Sequence, residues 1–417
     1  MYKKRNNLLV KALALVILCM DSLTMHAGWA KAYNDQILSL RTEANGNWLL
    51  PPIIKLNSEE FITISFDEMS HEYHHFTYRI NHCDASWNKS DINESIYLQG
   101  FNGQPIEEYS NSLNTTFEYT HYKLTIPNEN VSLKISGNYI IEISENEKLV
   151  AEVLFAVIEP FAAVSATVSS NTDIDTNNKH QQIELLVSYP GLSVRDPEKE
   201  LKEVVIQNRK IDEMVTNLKP SHLMNGQIKF SNNRQLIFTA GNEFRRFEII
   251  NMYDYLQNVD KVNFFDPYFH ATLLTDKQRI NYLYDQDHNG RYIARYSQAN
   301  NNDTEADYLF VHFTYSSPKL SGGNLFISSD FTQRELSDKW KMKYNEATKS
   351  YEFTALLKQG SYDYQYLWVP EGETKGQTSV TEGDFYETEN EYLILIYFRQ
   401  SGSRYDRLVG MSNIKTR

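Results

Sequence analysis

The sequence predicts an all-β protein built of tandem immunoglobulin-like β-sandwich domains, and three observations carry that prediction. The chain holds 28 Tyr and 21 Phe, residue types that favour a pleated, half-buried surface. Its apolar residues recur in many short runs with a period of two, separated by Asn, Gly, Ser and Pro, which is the pattern of strands and turns. No stretch keeps a 3.6-residue period over four turns and no fixed-period repeat is present, so neither a helical bundle nor a solenoid fits. Close to 390 residues remain once a leader is set aside, too many for one core, which points to two or three domains.

Taken in order, Lys3, Lys4 and Arg5 precede an apolar run over residues 8–20, the layout of a secretory signal peptide over residues 1–30. The run is shorter than the about 20 apolar residues that a membrane-spanning helix needs. Small-x-small cleavage sites occur at Gly28-Trp29-Ala30 and Ala30-Lys31-Ala32. Cys19 would suit a lipid anchor, but Leu18 is bulky where a small residue is wanted. Removing this segment takes away four basic residues and one acidic one, and the net charge goes from −13 to −16. Such a chain repels nucleic acid and anionic lipid. Cys83 is then the only thiol, so no internal disulfide is possible despite an oxidising compartment.

The first expected domain, residues 31–159, places strands at 60–66, 75–81, 117–126, 131–135, 139–143 and 150–158, a count that suits an immunoglobulin-like sandwich. The second, 160–284, opens with a polar hairpin turn or exposed loop at 169–180 and holds strands at 182–187, 203–207, 234–238, 244–250, 261–264 and 270–274. Its only helix candidate is 196–203. The third, 285–417, reads as a hairpin of 292–296 and 308–315 around a polar loop, then strands at 324–331, 341–344, 351–356 and 362–367. The apolar runs 149–158 and 392–398 read as core strands and not as membrane spans. This last part loosely resembles early-set carbohydrate-binding modules.

Chemistry-bearing motifs are few. His71-Glu72-Tyr73-His74-His75 matches H-E-x-x-H, which joins two imidazoles to one zinc only on a helix. Its flanks are strand-like, and four residues along a strand span about 13 Å, so a hairpin with exposed histidines is the expectation. His82-Cys83-Asp84 brings a thiol, an imidazole and a carboxylate together, but strand neighbours point to opposite faces and a small buried thiol is expected instead. Asp285-Gln286-Asp287-His288-Asn289-Gly290 opens like a calcium loop. The twelfth position, however, is Tyr296 where a glutamate is required, and Asn289-Gly290 is a strong turn signal. With no G-x-S-x-G, phosphate loop, dinucleotide fingerprint or zinc-ribbon spacing, no catalytic residue, cofactor or metal is expected.

The stretch 78–143 is the most distinctive. Strand-like ends flank a polar excursion carrying Trp87, Tyr97 and Phe101, with Gly100 and Gly103 supplying turn freedom. If exposed, Trp87, Tyr97, Phe101 and Trp368 suit sugar platforms or protein anchors; if not, they are ordinary sandwich core. The runs N-H-C-D-A-S-W, Y-L-Q-G-F-N, F-E-Y-T-H-Y-K-L-T-I-P-N and K-I-S-G-N-Y, in that order, resemble the plug protein family of the bacterial type IX secretion system. The likeness continues more weakly through residues 241–248, 307–313 and 387–392. The resemblance implies a non-enzymatic periplasmic protein on the inner side of the outer membrane. Its partner would be the large outer-membrane β-barrel translocon, whose periplasmic mouth it closes while no substrate passes. It implies no nucleic acid, no insertion into the membrane and a monomer when free. The loop 84–103, with Trp87, Tyr97 and Phe101, is the expected partner-binding segment. The alternative reading is an exported glycan-binding protein.

Overall fold

The computed structural model describes residues 26–254 and 256–416. Expectations that rest on residues 1–25, including the basic and apolar parts of the leader, lie outside the described residues. Nearly all regular structure is β, and it stacks into tandem sandwiches. Only three short α-helices are described: Glu94–Tyr97, Pro197–Glu200 and Asn302–Glu305. The expected helix at 196–203 is thus one turn, Pro197–Glu200, before the chain becomes a strand at Leu201.

The first sandwich packs a four-stranded sheet (Ile37–Ala44, Ile62–Glu68, Thr120–Ile126, Glu108–Asn111) against part of a nine-stranded one. In that larger sheet Phe76–Cys83, Gly137–Glu145 and Lys148–Ile158 run antiparallel side by side. Alternate side chains such as Phe66, Tyr78, Tyr122, Ile141 and Val153 fill the space between the sheets. A strand's period of two delivers just such a one-sided apolar face.

The nine-stranded sheet does not stop there. Ile158 pairs in parallel with Leu408, and beyond it lie Arg407–Lys415, Glu391–Phe398 and Leu201–Gln207. These three strands form one layer of the middle sandwich. The other layer is the sheet containing Ala163–Ser169, His180–Ser188 and Gln227–Phe230. The middle core accordingly mixes Ile183, Leu185 and Phe230 with Tyr392, Ile394, Ile396 and Val409. The tract 169–180 is the turn of the hairpin that joins Ala163–Ser169 to His180–Ser188.

The third core draws on residues 247–368, from Phe247 and Leu273 to Tyr366 and Trp368. Packing therefore divides the chain differently from the expected boundary at 285. The chain leaves the middle sandwich after Thr239, builds the whole third sandwich, and returns at Glu391 to complete the middle one. The expected hairpin of 292–296 with 308–315 is likewise not formed. Tyr292–Ala294 pairs with Gly360–Pro370, and Tyr308–Ser316 pairs with Ser350–Lys358 in the opposite sheet. Apolar alternation marks each segment as a strand but carries no information about its partner.

The fold also begins before the expected cut at residue 30. Ala30 pairs with Val153, the ring of Trp29 meets Trp87 edge-on at 5.6 Å, and His26 Nε2 lies 3.1 Å from Glu152.

First and third sandwiches meet on a buried polar cluster. Asp67, with no exposure, binds Lys358 Nζ at 2.7 Å, Tyr308 OH at 2.7 Å and His121 Nδ1 at 2.6 Å. Lys358 Nζ also donates to the Asp303 carbonyl and sits 4.1 Å from the centre of the Tyr119 ring. Burial alone would raise the Asp67 carboxyl, but the Lys358 charge and the His121 hydrogen bond outweigh it and hold it at about 2. Lys358 has fewer compensations, and burial pulls its ammonium below the ordinary lysine value despite Asp67. The pair is thus asymmetric, with the carboxylate satisfied by three donors and the ammonium by one charge.

Three outcomes follow. Lys358→Met leaves Asp67 buried without its cation and should cost about 3–5 kcal/mol in urea unfolding, whereas adding Asp67→Asn should recover part of that loss. Because the Asp67 carboxyl falls from its ordinary 3.8 to about 2 on folding, its stabilisation is present above the ordinary value and lost as pH falls toward 2. An Asp67→Asn variant should show a shallower acid limb in a pH series of thermal unfolding. Finally, if the leader is cleaved, N-terminal sequencing should find a start before Trp29; a start at Lys31 would remove the Trp29–Trp87 contact.

Candidate interaction surface

The excursion 84–103 divides into a buried half and an exposed tip. In the buried half, Asp84 Oδ1 accepts the N–H groups of Ser86 and Asn88, closing a tight turn. Trp87 takes a left-handed backbone at φ 65° in that turn. Its ring lies in an apolar cluster with Trp29, Cys83, Ile140, Leu154, Val204 and Leu395, on the face of the nine-stranded sheet shared by the first two sandwiches. Trp87 is 8% exposed, and Tyr97, whose hydroxyl donates to the Ile80 carbonyl, is 6% exposed. The structure therefore corrects their expected role, since neither ring is available to a partner. Alternation could not show this, because Trp87 is covered by side chains from residues 29, 204 and 395, far away in sequence, and Tyr97 by the first core beside His82 and Tyr139.

Only Phe101 is presented, at 77% exposure. Its loop is clamped rather than loose. Asn102 Oδ1 accepts the Ile80 N–H at 2.7 Å, and its amide donates to the Ile80 carbonyl at 3.0 Å and to Glu94 Oε2 at 2.9 Å. Gly100 stands at φ +100°, where an added Cβ would lie 2.0 Å from the Asn130 carbonyl oxygen. Here only glycine fits. The run Y-L-Q-G-F-N thus anchors Tyr97 and Leu98 in the core, turns at Gly100, and holds Phe101 outward on a fixed base.

The other distinctive runs serve the joint between sandwiches. Asp406 accepts from Ala85 N at 2.9 Å, Lys202 Nζ at 3.0 Å and Arg399 Nε at 2.6 Å. Burial would raise its carboxyl, but these donors, Arg399 foremost, hold it below the usual carboxylate range. Asn138 donates to the Asp84 carbonyl at 3.0 Å and accepts from Tyr397 OH at 2.7 Å. Gly137, at φ +140°, passes so close to His82 that a Cβ would lie 2.3 Å from Nε2. His82 itself is buried, with Nδ1 2.9 Å from Ser90 Oγ and Nε2 3.2 Å from the Ser136 carbonyl. Burial lowers its imidazole to about 4, and burial pushes the neighbouring Cys83 thiol far up. A neutral, buried thiol is unsuited to nucleophilic attack.

His71 and His75 are not brought together on a helix. They lie in an irregular connection between Ile62–Glu68 and Phe76–Cys83. His71 Nε2 meets Ser112 Oγ at 2.8 Å, while the intervening His74 binds Glu145 Oε1 at 2.5 Å. In the D-x-D-x-N-G run, Asn289 and Gly290 both have positive φ, as a tight turn requires. Asp287 accepts the backbone N–H groups of Phe244 and Asn289. Among the described residues no group of three or more His, Cys, Asp and Glu is placed to hold a metal. No helix of the described residues is long and apolar enough to cross a membrane.

A second exposed apolar feature was not anticipated. Phe264 and Phe265 close the hairpin of Val259–Phe265 with Tyr268–Leu273 and are both exposed. Ile280, Leu283 and Tyr284 on the following irregular segment are exposed as well. Adjacent Phe residues beside Asp266-Pro267 were a usable signal, since two consecutive strand residues face opposite sides and cannot share one core.

Stacked sandwiches joined by buried polar nodes, with a few fixed aromatics outside, define a tandem β-sandwich protein. Residues 37–159 match the family model "Type 9 secretion system plug protein 1st domain", and the chain belongs to the type 9 secretion system plug protein family. A hypothetical protein from Parabacteroides merdae, known from a crystal structure, is 40% identical and superposes with a TM-score of 0.91. The match covers 93% of this chain and 99% of that one. The C-terminal domain of the Streptococcus agalactiae AgI/II polypeptide BspA aligns over 90% of this chain and 99% of its own, at 8% identity and a TM-score of 0.15. That likeness carries no argument. No curated protein matches the chain.

Trp87→Ala should cost about 3–5 kcal/mol of stability, as a large core truncation does, whereas Phe101→Ala should stay within about 0.5 kcal/mol of the parent. Parallel denaturant unfolding of the two variants checks both.

Proposed function

We propose that this protein is a non-enzymatic periplasmic plug that binds the large outer-membrane β-barrel translocon of type IX secretion and closes its periplasmic mouth while no substrate passes. The observation that carries the reading is the match of residues 37–159 to the plug first domain. The physical demands of such a role are a body of fixed shape and a surface complementary to the barrel rim; no bond need be made or broken. The buried nodes at Asp67 and Asp406, each tying residues from distant parts of the chain, supply the fixed shape. Phe101, exposed on its clamped loop, is the contact residue we assign, because exposed aromatics on rigid bases make efficient interface anchors at little entropic cost.

The glycan-binding reading was motivated by the third unit and by the aromatic content. Of the rings offered as sugar platforms, Trp87, Tyr97 and Trp368 are buried and only Phe101 is exposed, so no broad aromatic platform of that set supports it.

Affinity purification of the tagged protein from solubilised envelope should bring down a very large outer-membrane barrel in roughly equal amount. Phe101→Ala should reduce the recovered barrel several-fold with unchanged thermal unfolding. Recovery of the protein alone, from cells that express the secretion system, would overturn the plug reading.

A further inference from the structure

A small cavity of about 40 Å³ lies where all three sandwiches meet. Trp29, Arg41, Thr42 and Glu43 line it from the first, Arg209 from the end of the middle sandwich's strand, and Arg291 and Asp330 from the third. Four polar groups on this wall have no hydrogen-bond partner among the described residues: Arg209 Nη1, Arg291 Nε, Trp29 Nε1 and Thr42 Oγ1. Each of these side chains is more than nine-tenths buried, at 9%, 4%, 4% and 8% exposure respectively. Buried donors left in this way are uncommon and call for an acceptor.

The carboxylates nearby already have ion-pair partners. Asp330 gives one oxygen to Arg209 Nε at 3.0 Å and the other to Arg334 Nε at 2.7 Å. Both Glu391 oxygens go to Arg291 Nη2, at 2.8 and 3.0 Å. Arg41 holds Asp303 at 2.6 Å and Glu43 at 3.4 Å. Four guanidiniums thus face four carboxylates, and the charges balance, yet three N–H donors and a hydroxyl remain. Burial, with Arg291 and Arg334 alongside, outweighs Asp330 and draws the Arg209 guanidinium down to about 10, so its charge is the least compensated of the set. A species that only accepts hydrogen bonds answers this inventory. One water takes about 10–15 Å³ of such space, so about 40 Å³ is ample for a monatomic ion.

We propose that this cavity binds a halide-sized monovalent anion, chloride in ordinary buffers, held by Arg209 Nη1, Arg291 Nε, Trp29 Nε1 and Thr42 Oγ1. The ion would tie one group from each sandwich to a common centre. An ion bound only by the folded arrangement raises stability with its concentration.

The test uses the purified chain retaining Trp29. In crystals with bromide replacing chloride, an anomalous peak is expected in this cavity, within hydrogen-bond reach of Arg209 and Arg291. In solution, the midpoint of thermal unfolding should rise with chloride when gluconate keeps the ionic strength constant. Thr42→Val, which removes one partner with little change of shape, should cut that rise by at least half. A cavity without a bromide peak, or equal midpoints in chloride and gluconate for the parent protein, would mean that only water fills it and would overturn the proposal.

Discussion

The contact of Asp67 with Lys358 sets the relation between the first and third sandwiches, and much of the remaining architecture is arranged around it. Each partner sits on a central strand of its own sheet, Ile62–Glu68 and Ser350–Lys358. Tyr308, Tyr119 and His121 complete the cluster, while Arg41 and Asp303 extend it outward. Such a pair adds little net stability, because desolvation offsets the attraction. Its effect is geometric. Two apolar faces can slide past each other at low cost, but a buried carboxylate cannot move from its three donors without exposing an uncompensated charge. Asp307, which accepts the N–H groups of Thr116 and Phe117, repeats the device nearby.

The middle sandwich depends on closure from a distance. Its strands Glu391–Phe398 and Arg407–Lys415 arrive only after the third sandwich has been made. They extend the first sandwich's sheet through Ile158 and Leu408 and carry the Asp406 node that receives Ala85 and Lys202. One hairpin thus serves two cores. In a body assembled this way the middle and third sandwiches are tied together by the returning chain.

The runs that give the chain its family likeness acquire separate physical reasons. N-H-C-D-A-S-W and K-I-S-G-N-Y meet at the joint, where Gly137 leaves room for His82 and Asn138 links Asp84 to Tyr397. Y-L-Q-G-F-N is different. It positions one exposed ring and spends its glycine and asparagine on fixing the base beneath it. Distinctive sequence in this protein therefore marks close approach of backbone to side chain more often than it marks a surface.

By itself the sequence determined the all-β class and many of the long strands, though not Ile37–Ala44, Ala163–Ser169 or Arg407–Lys415, since side-chain alternation is a local property that survives whatever a strand pairs with. It also marked the turn at Asn289-Gly290 and the absence of a helix to carry His71 and His75, both consequences of neighbouring residues alone. Burial of Trp87 and Tyr97, by contrast, was decided by residues hundreds of positions away or across a sheet, and so was the exchange of Tyr292–Ala294 and Tyr308–Ser316 between opposite sheets. The insertion of the third sandwich into the middle one, and the meeting of Asp67 with Lys358, belong to the same group. Strand pairing between backbones uses the same hydrogen bonds whichever strands are joined, so the choice of partner rests on how whole faces pack and on where buried charges find their counterparts. That choice exists only in the folded chain.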